Sequence, residues 1–271
     1  MLSAVLIGTV LTVDSTPGPD IIGIRQDATG VKVTENGVDT VFSSASTINS
    51  IKIFGNAGDD QITINGLFNS TSLTVDGGSG FNSLLMLSGA NNWTISGPNS
   101  GTCNGNAFTN IQNLSGGAFN DTFRFQSTGF VGGKIDGGGG VDALDYASRS
   151  NGVVINLSSA SATAIGAGFV KISDFVGSSD NTDILVGPSE TNVWRLTSGD
   201  TGYINQLQFF YGIENITGGA ANDSFQFGVA GYISGNIVGG GRSQFAGLFA
   251  EICGGCDEPA NQFLHSNWEF I

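Results

Sequence analysis

The sequence predicts an all-β protein that folds as a parallel β-solenoid, a β-helix or β-roll built from glycine- and aspartate-rich repeats. Two observations predict this fold. A turn that contains glycine and aspartate recurs along the chain, and a short apolar strand follows it each time. The turns recur after 21 residues from Asp121 to Asp142, and after 22 residues from Asp60 to Asn82. One coil of a solenoid needs about this many residues for its short strands and tight connections.

The best copy of the turn is Gly137–Asp145, with the sequence GGGGVDALD. It fits the nonapeptide G-G-x-G-x-D-x-U-x, in which U is a large apolar residue, at every defined position. That nonapeptide is typical of parallel β-rolls. One match would be weak evidence, whereas several matches along one chain predict a repeat fold. Looser copies lie at Gly55–Thr63, Gly77–Leu85, Gly116–Arg124 and Gly218–Gln226.

The composition indicates a folded, turn-rich and acidic protein. Glycine accounts for 43 of the 271 residues, about twice the average usage of ~7 %, and 39 % of the chain is hydrophobic. The 23 acidic residues outnumber the 9 basic ones, for a formal net charge of −14. This charge disfavours nucleic acid and anionic membranes as partners and favours divalent cations. No stretch is long and apolar enough to predict a membrane span.

The chain is predicted to have three segments. Residues 1–49 are N-terminal strands that lead into the solenoid, and Leu2–Val13 resembles a first strand more than a signal peptide. Residues 50–241 hold the repeats, with a duplication in which the stretch from Asn110 returns at Gly212. Residues 242–271 are an irregular tail, either a cap or a non-native end. The tail contains the only histidine and two of the three cysteines, which we interpret as incidental thiols.

The turns carry the residue types that bind calcium. Calcium takes six to eight oxygen ligands from carboxylates and carbonyls, and glycine lets a turn aim its carbonyls inward. One turn supplies about half of this set, so two stacked turns are needed for a site. The candidates for the best stacked pair are Asp121, Asp136, Asp142, Asp145, Gly116, Gly137 and Gly139, and those for the other turns are Asp59, Asp60, Asp76, Asn82 and Asp223.

These motifs resemble the hemolysin-type, or repeat-in-toxin, calcium-binding family, especially the diverged repeats of large bacterial surface and adhesin-like proteins. The resemblance covers roughly residues 50 to 241. It implies Ca²⁺ as the cofactor and an extracellular or cell-surface location, although no export signal is evident. It also implies a structural and adhesive role, with cell-surface carbohydrate or other repeats of a longer chain as partners. In the family the nonapeptides follow one another directly, whereas here one occurs per coil.

Two alternatives stay open at this stage. In the first, the turns bind no metal, and the aspartates cap backbone amides. In the second, the same scaffold is a calcium-dependent extracellular hydrolase, acting on ester, lactone or glycosidic bonds, or a polysaccharide lyase. Its carboxylates would come from Asp142 with Asp145, or from Asp180 with Asp183. No nucleophile elbow, HExxH motif or phosphate loop is present, and no catalytic residue is predicted.

Overall fold

A computed structural model describes residues 3–27, 30–42, 48–66, 71–240 and 249–250. This part of the chain consists of strands and turns without any helix, which confirms the predicted all-β class. Among these residues there is accordingly no helix with the length and apolar character needed to cross a membrane. Nearly all of the predicted tail, residues 242–271, lies outside the described residues.

The strands follow one another at short intervals. In chain order they are β1 Ser3–Ile7, β2 Val10–Asp14, β3 Ile21–Asp27, β4 Gly30–Glu35, β5 Val38–Phe42, β6 Ser50–Phe54, β7 Gln61–Asn65, β8 Ser72–Asp76, β9 Ser83–Met86, β10 Asn92–Gly97, β11 Ser100–Cys103, β12 Asn106–Thr109, β13 Asn113–Ser115, β14 Thr122–Phe125, β15 Ile135–Asp136, β16 Ala143–Asp145, β17 Val154–Asn156, β18 Ser161–Ala162, β19 Phe169–Val170, β20 Asp174–Val176, β21 Ile184–Val186, β22 Val193–Ser198, β23 Thr201–Ile204, β24 Gln208–Tyr211, β25 Asn215–Thr217, β26 Ser224–Phe227, β27 Ile237–Val238 and β28 Phe249–Ala250.

Contacts divide the chain into two compact units. Unit 1 comprises Met1–Ala143 and Ala164–Ile172, and unit 2 comprises Leu144–Thr163 and Ser173–Ile271. In unit 1 the first sheet has the strand order β1-β2-β6-β8-β12-β11-β10-β14, and the second has the order β19-β15-β13-β9-β7-β3-β4-β5. In unit 2 the corresponding orders are β20-β24-β23-β22-β26-β28 and β18-β17-β21-β25-β27. The chain alternates between the two sheets, as from β6 to β7 and from β8 to β9.

The repeats stack in parallel register, as the sequence predicted. Strands β6 and β8 pair Ile51 with Leu73 and Ile53 with Val75, and these four side chains are buried. Lys52, which lies between the two isoleucines, is exposed. Successive side chains of a β-strand point to opposite faces, so alternate residues of each sheet lie in the core and the others face outward.

Both units interrupt the parallel pattern with an antiparallel hairpin pair that the sequence analysis did not predict. In unit 1, β10, β11 and β12 are joined as a meander within the first sheet. The turn between β11 and β12 has positive φ at Asn104 and Gly105, 50° and 81°. Those angles match the two-residue turn that suits the twist of a hairpin. Strands β22, β23 and β24 repeat the arrangement in unit 2, with Asn205 and Gln206 at the turn.

The N-terminal strands are mostly antiparallel. Strand β1 forms a hairpin with β2, and β3, β4 and β5 form a meander. Strands β2 and β3 connect this segment to the repeats, because β2 pairs in parallel with β6 and β3 pairs in parallel with β7. The N-terminal segment therefore supplies the first strands of both sheets in unit 1.

A tryptophan is the largest buried side chain of each hairpin pair. Trp93 stacks on Phe123 of the neighbouring repeat, with ring centroids 5.7 Å apart, and meets Phe108 edge to face. In unit 2, Trp194 packs against Phe225 and Phe210 in the same way. These rings bridge adjacent strands, so the free energy of their burial depends on the stacking of repeats rather than on any single repeat.

We expect Phe123→Ala to destabilise the fold by about 3–5 kcal/mol, because it removes a fully buried ring and leaves a cavity beside Trp93. Phe119→Ala is the matched control, because Phe119 is half exposed in the turn before β14 and should change stability by less than about 0.5 kcal/mol. Urea unfolding followed by tryptophan fluorescence measures both values. Equal losses for the two variants would contradict this assignment of the core.

Candidate metal site at the glycine turns

The acidic and amide residues that end the glycine turns lie inside the protein. Each occupies the position just before, or next to, a strand, and each is less than 5 % exposed. We call this set the turn ladder. Its members in unit 1 are Asp20, Asp60, Asn82, Asn91, Asp121 and Asp142, and its members in unit 2 are Asp183, Asn192 and Asp223.

Apart from Asp20, whose carboxylate accepts hydrogen bonds from Thr16 and Asn36, the ladder side chains join successive repeats. The Oδ1 atom of Asp60 accepts the backbone N–H of Asp20 at 2.9 Å, and Oδ1 of Asn82 accepts the N–H of Asp60 at 2.9 Å. On the opposite corner, Oδ1 of Asp121 accepts the N–H of Asn91 at 2.6 Å. Oδ1 of Asp142 accepts the N–H of Asp121 at 2.8 Å. The structure thus brings together the predicted pair Asp121 and Asp142, and ladder residues precede strands of both sheets.

Where the ladder residue is asparagine, its second polar atom also has a partner in the next repeat. Asn91 Nδ2 donates to the carbonyl of Gly116 at 2.6 Å, and Asn192 Nδ2 donates to the carbonyl of Gly218 at 3.1 Å. Asn82 Nδ2 donates to the carbonyl of Asn110 at 3.0 Å. In each case the Oδ1 atom also has a donor, the Asp60 N–H for Asn82, Asn104 Nδ2 for Asn91 and Asn205 Nδ2 for Asn192, so both polar ends of the amide are satisfied.

Where the ladder residue is aspartate, an oxygen replaces this donor. A Cβ atom placed on Gly55 would lie 2.6 Å from Asp60 Oδ2 and 2.5 Å from the carbonyl oxygen of Gly77. A Cβ placed on Gly77 would meet the corresponding pair, Asn82 Nδ2 and the Asn110 carbonyl. The carboxylate oxygen thus occupies the place of the amide nitrogen and faces a carbonyl oxygen instead of donating to it.

Four further turns bring an aspartate Oδ2 and a backbone carbonyl oxygen to the same side of a glycine in this way. The pairs are Asp121 with Gly137, Asp142 with Lys171, Asp183 with Gly212 and Asp223 with Gly239. Among the described residues, the Oδ2 atoms of Asp60, Asp121 and Asp223 are buried and accept no hydrogen bond. A buried carboxylate oxygen without a donor or a cation is costly, because it has lost its hydration.

The electrostatics reflect that cost. Burial, reinforced by the neighbouring Asp142 carboxylate, raises the pKa of Asp121 to about 6 from an ordinary value of 3.8. The difference corresponds to about 3 kcal/mol against the ionised form. Burial also raises the pKa of Asp60 and of Asp223.

Asp183 is the exception, and its turn explains why. This turn runs from Gly177 and is one residue longer than the others. The additional residue lets the Ser178 N–H donate to Asp183 Oδ2 at 2.6 Å, while Oδ1 accepts the Val153 N–H at 2.8 Å. Both oxygens of Asp183 are therefore satisfied within unit 2.

The glycines of the turns serve two separate purposes. The first glycine, as at Gly116, is needed for space, because any Cβ there would collide with Asp121 Oδ2 and the Gly137 carbonyl. The next glycine has a positive φ, 105° at Gly117. Gly139, a candidate ligand from the sequence, could carry a Cβ at ordinary contact distance from Ala118, and its N–H donates to the Gly117 carbonyl at 2.7 Å.

The acids that flank the turns are held by local hydrogen bonds. Asp76 and Asp136 each accept the N–H two residues ahead, at 2.9 and 3.0 Å, and Asp145 does the same at 2.9 Å. Asp136 also lies 3.4 Å from the ammonium of Lys171. The exposed Asp59 accepts the N–H of Phe81 at 2.8 Å. These bonds account for one oxygen of each flanking carboxylate.

The ligand set for a metal would combine a side-chain oxygen with a backbone oxygen at each turn. Within the described ranges, no three acidic, histidine or cysteine side chains gather into a group that could hold a metal ion. Each site with an unpartnered Oδ2 instead offers one carboxylate oxygen and one carbonyl oxygen that converge from two repeats. Both are hard oxygen donors of the kind that calcium prefers, so the residues present fit part of a calcium shell.

Sequence reasoning missed Asn91 and Asn192 as members of the ladder, whereas the stretch Gly18–Ile22, which contains Asp20, is recognisable as a diverged copy of the turn and strand. A glycine followed five positions later by an aspartate or asparagine identifies Asn192, because Gly187 precedes it at that spacing. Asp20 and Asn91 lack this glycine. Ser15 stands in its place before Asp20, and Ser15 Oγ donates to the Gly55 carbonyl at 2.6 Å. Comparisons with models of known families, with curated proteins and with solved structures found no match to this chain.

We expect Gly116→Ala to destabilise the protein by about 1–3 kcal/mol or more, because the added methyl group would displace the Asp121 carboxylate or the Gly137 backbone. Gly139→Ala is the control, since a Cβ there makes only ordinary contacts. Chemical denaturation of both variants gives the two values. A milder effect at position 116 than at position 139 would contradict the packing described for the first glycine.

Without calcium, the protein should become more stable as the pH falls from 7.5 to 5. The pKa of Asp121 is higher in the folded state than in the unfolded chain, so the folded state takes up the proton first, and Asp121 alone contributes about 1 kcal/mol over this range. Hydrogen bonds lower the pKa of Asp20, so this residue affects stability only below about pH 4. Thermal melts in EDTA at several pH values measure the slope, and a melting temperature that falls over this range would contradict the burial of an unpartnered carboxylate.

Proposed function

We propose that this chain is a parallel β-solenoid whose acidic turns bind calcium, and that it serves a structural and adhesive role in a secreted or cell-surface bacterial protein. The pairing pattern supports the solenoid. Successive strands alternate between two sheets, and strands of successive repeats pair in parallel and in register. A chain that coils once per repeat produces this pattern, and each coil then buries its apolar side only against its neighbours.

The observation that carries the calcium proposal is the pair of facing oxygens in the aspartate turns. Asp60, Asp121 and Asp223 each direct a buried Oδ2 at a carbonyl oxygen, where Asn82, Asn91 and Asn192 supply an N–H donor. Two facing oxygens repel each other unless a proton, a cation or a hydrogen-bond donor lies beside them, and none of the described residues supplies a donor to these three Oδ2 atoms.

Calcium suits the site better than a proton at neutral pH. A carboxyl group with a pKa of about 6 is mostly ionised above pH 7, so a proton does not occupy it under those conditions. Carboxylate and carbonyl oxygens are calcium's ordinary ligands, and extracellular modules bind calcium with dissociation constants of about 10⁻⁴ to 10⁻³ M. The formal net charge of −14 adds a general attraction for cations.

Calcium bound in this way would stabilise contacts between repeats. The ion would attach to the carboxylate of one repeat and the carbonyl of the next, so binding would favour the stacked, folded state over the unfolded chain. A ligand present at 100 times its dissociation constant stabilises a protein by about 2.7 kcal/mol per site. Such a chain would be most stable where calcium is abundant, which fits a structural role outside the cell.

A calcium titration of thermal stability tests this proposal, with Asp121→Asn as the central variant. The wild-type melting temperature should rise with calcium after removal of metal by EDTA. Asp121→Asn should melt higher than wild type in EDTA, because its Nδ2 can donate to the Gly137 carbonyl as Asn91 donates to that of Gly116. The gain should be about 1–3 kcal/mol, and the variant should gain less from calcium than wild type does.

Asp183→Asn is the matched control, because both oxygens of Asp183 already accept N–H donors. An amide there would place a donor against the Ser178 N–H, so this variant should melt lower than wild type in EDTA. A wild-type melting curve that ignores calcium would overturn the metal proposal. A loss of stability in EDTA for Asp121→Asn would overturn the facing-oxygen arrangement itself.

A further inference from the structure

The outer face of the first sheet in unit 2 carries an unusual row of side chains. Five adjacent strands, β20, β24, β23, β22 and β26, each contribute one residue to it through the pairing register. We call these residues the outer row. In order across the sheet they are Asp174, Phe209, Tyr203, Arg195 and Gln226.

Two rings occupy adjacent places in this row. The Phe209 and Tyr203 rings lie with centroids 5.7 Å apart and planes tilted by 52°, and Phe209 is 38 % exposed. On the same strand as Phe209, Tyr211 is 42 % exposed and pairs with Val176. Burial, together with the Asp174 carboxylate, raises the pKa of Tyr211, so the acid and the phenol share one part of the face.

Unit 1 contains the same five-strand arrangement and provides an internal comparison. Its strands β8, β12, β11, β10 and β14 pair in the same order and register. The buried residues on the inner side are the same in both units, since Trp93, Phe108 and Phe123 correspond to Trp194, Phe210 and Phe225. The residues on the outer side differ. In unit 1 the corresponding row reads Thr74, Ala107, Thr102, Thr94 and Arg124.

This comparison separates what the fold needs from what the outer row adds. Threonine and alanine at these positions are compatible with the same strands, pairing and aromatic core in unit 1. Aromatic, acidic and basic side chains at four of the five positions in unit 2 are therefore not needed for folding. Phe209 is exposed and Tyr203 is half-buried, and an aromatic pair placed in this way costs the protein solubility, so a binding role explains its presence on an outer face.

The chemistry of the row is that of a carbohydrate-binding face. Aromatic rings stack on the apolar C–H face of a pyranose, and sugar hydroxyls both donate and accept hydrogen bonds. Asp174 is an acceptor, Arg195 is a donor, and Gln226 is both. The two charges have opposite sign, which suits a neutral ligand. Strands lie about 4.8 Å apart, so five positions span about 19 Å, the length of several sugar units rather than one.

The shape of the row also favours a linear sugar chain over a protein. Val193 and Tyr211, which lie two positions from Arg195 and Phe209 on the same strands, are also exposed, whereas their pairing partners Ser224 and Thr201 are polar and half-buried. A stable protein interface buries about 800 Å² on each partner, far more than such a strip provides.

We propose that the outer row of unit 2 is a binding site for a neutral oligosaccharide of several hexose units. The site would supply the adhesive contact of the function proposed above, and in that sense it rests on that proposal. Its residues belong to the sheet face and not to the turn ladder, so binding of sugar and binding of calcium can be measured separately.

The test uses the full chain and an immobilised panel of neutral oligosaccharides, with α- and β-linked hexoses and N-acetylhexosamines. Wild-type protein in calcium should bind members of the panel, and titration with the strongest one gives the affinity. Tyr203→Thr with Phe209→Ala restores the unit 1 residues and should weaken binding at least about tenfold while the melting temperature stays unchanged. Arg195→Thr should weaken it too. Phe54→Ala, which removes an exposed aromatic ring of unit 1, is the control and should bind as wild type does.

The outcomes separate the two proposals. Failure of every oligosaccharide to bind, or equal binding by wild type and the double variant, would overturn the sugar site. Self-association of the wild type that the double variant loses, without sugar binding, would also overturn it in favour of an interface between copies of this chain. A wild-type melt that ignores calcium while sugar binding persists would remove the calcium proposal and leave the outer row intact.

Discussion

The pairing of successive repeats depends on one interaction, the hydrogen bond that a backbone N–H donates to the buried turn side chain of the following repeat. A strand pair satisfies its own backbone groups, but the chain must leave one sheet and enter the other at every corner. There the N–H of the ladder residue points along the stack, and a buried N–H without an acceptor would be costly. Asp60 and Asn82 accept such groups at one corner, and Asp121 at the other.

The choice between aspartate and asparagine gives the ladder its chemistry. Asp60 and Asn82 each accept a backbone N–H at 2.9 Å, so either residue type can hold successive repeats together at this position. Only asparagine also satisfies the carbonyl of the next repeat, as Asn91 does at Gly116. An aspartate in this position gives up that bond and keeps a buried charge instead. Folding alone does not require this exchange, which is why we connect the aspartate positions with a cation.

The sequence predicted the all-β class, the parallel repeats and the turns, because glycine spacing and apolar alternation report directly on local geometry. It did not predict the hairpins, although Asn104-Gly105 carries the signal for one. Nor did it predict why Gly116 is glycine, since the crowding comes from a carbonyl in the next repeat. The outer row was equally invisible, because Arg195, Tyr203 and Phe209 meet only through pairing register. These features depend on contacts between residues that are far apart in the chain, and such contacts cannot be deduced from a single sequence.

The most direct test of this account is a crystal structure at high resolution, grown at pH 7.5 in calcium, with attention to Asp121. We predict a cation that contacts Asp121 Oδ2 and the Gly137 carbonyl, with oxygen distances of about 2.3–2.6 Å. The N–H of Asn91 should still donate to Oδ1. An Asp121 carboxylate whose two oxygens both accept N–H or water donors, with no cation beside it, would contradict the central claim.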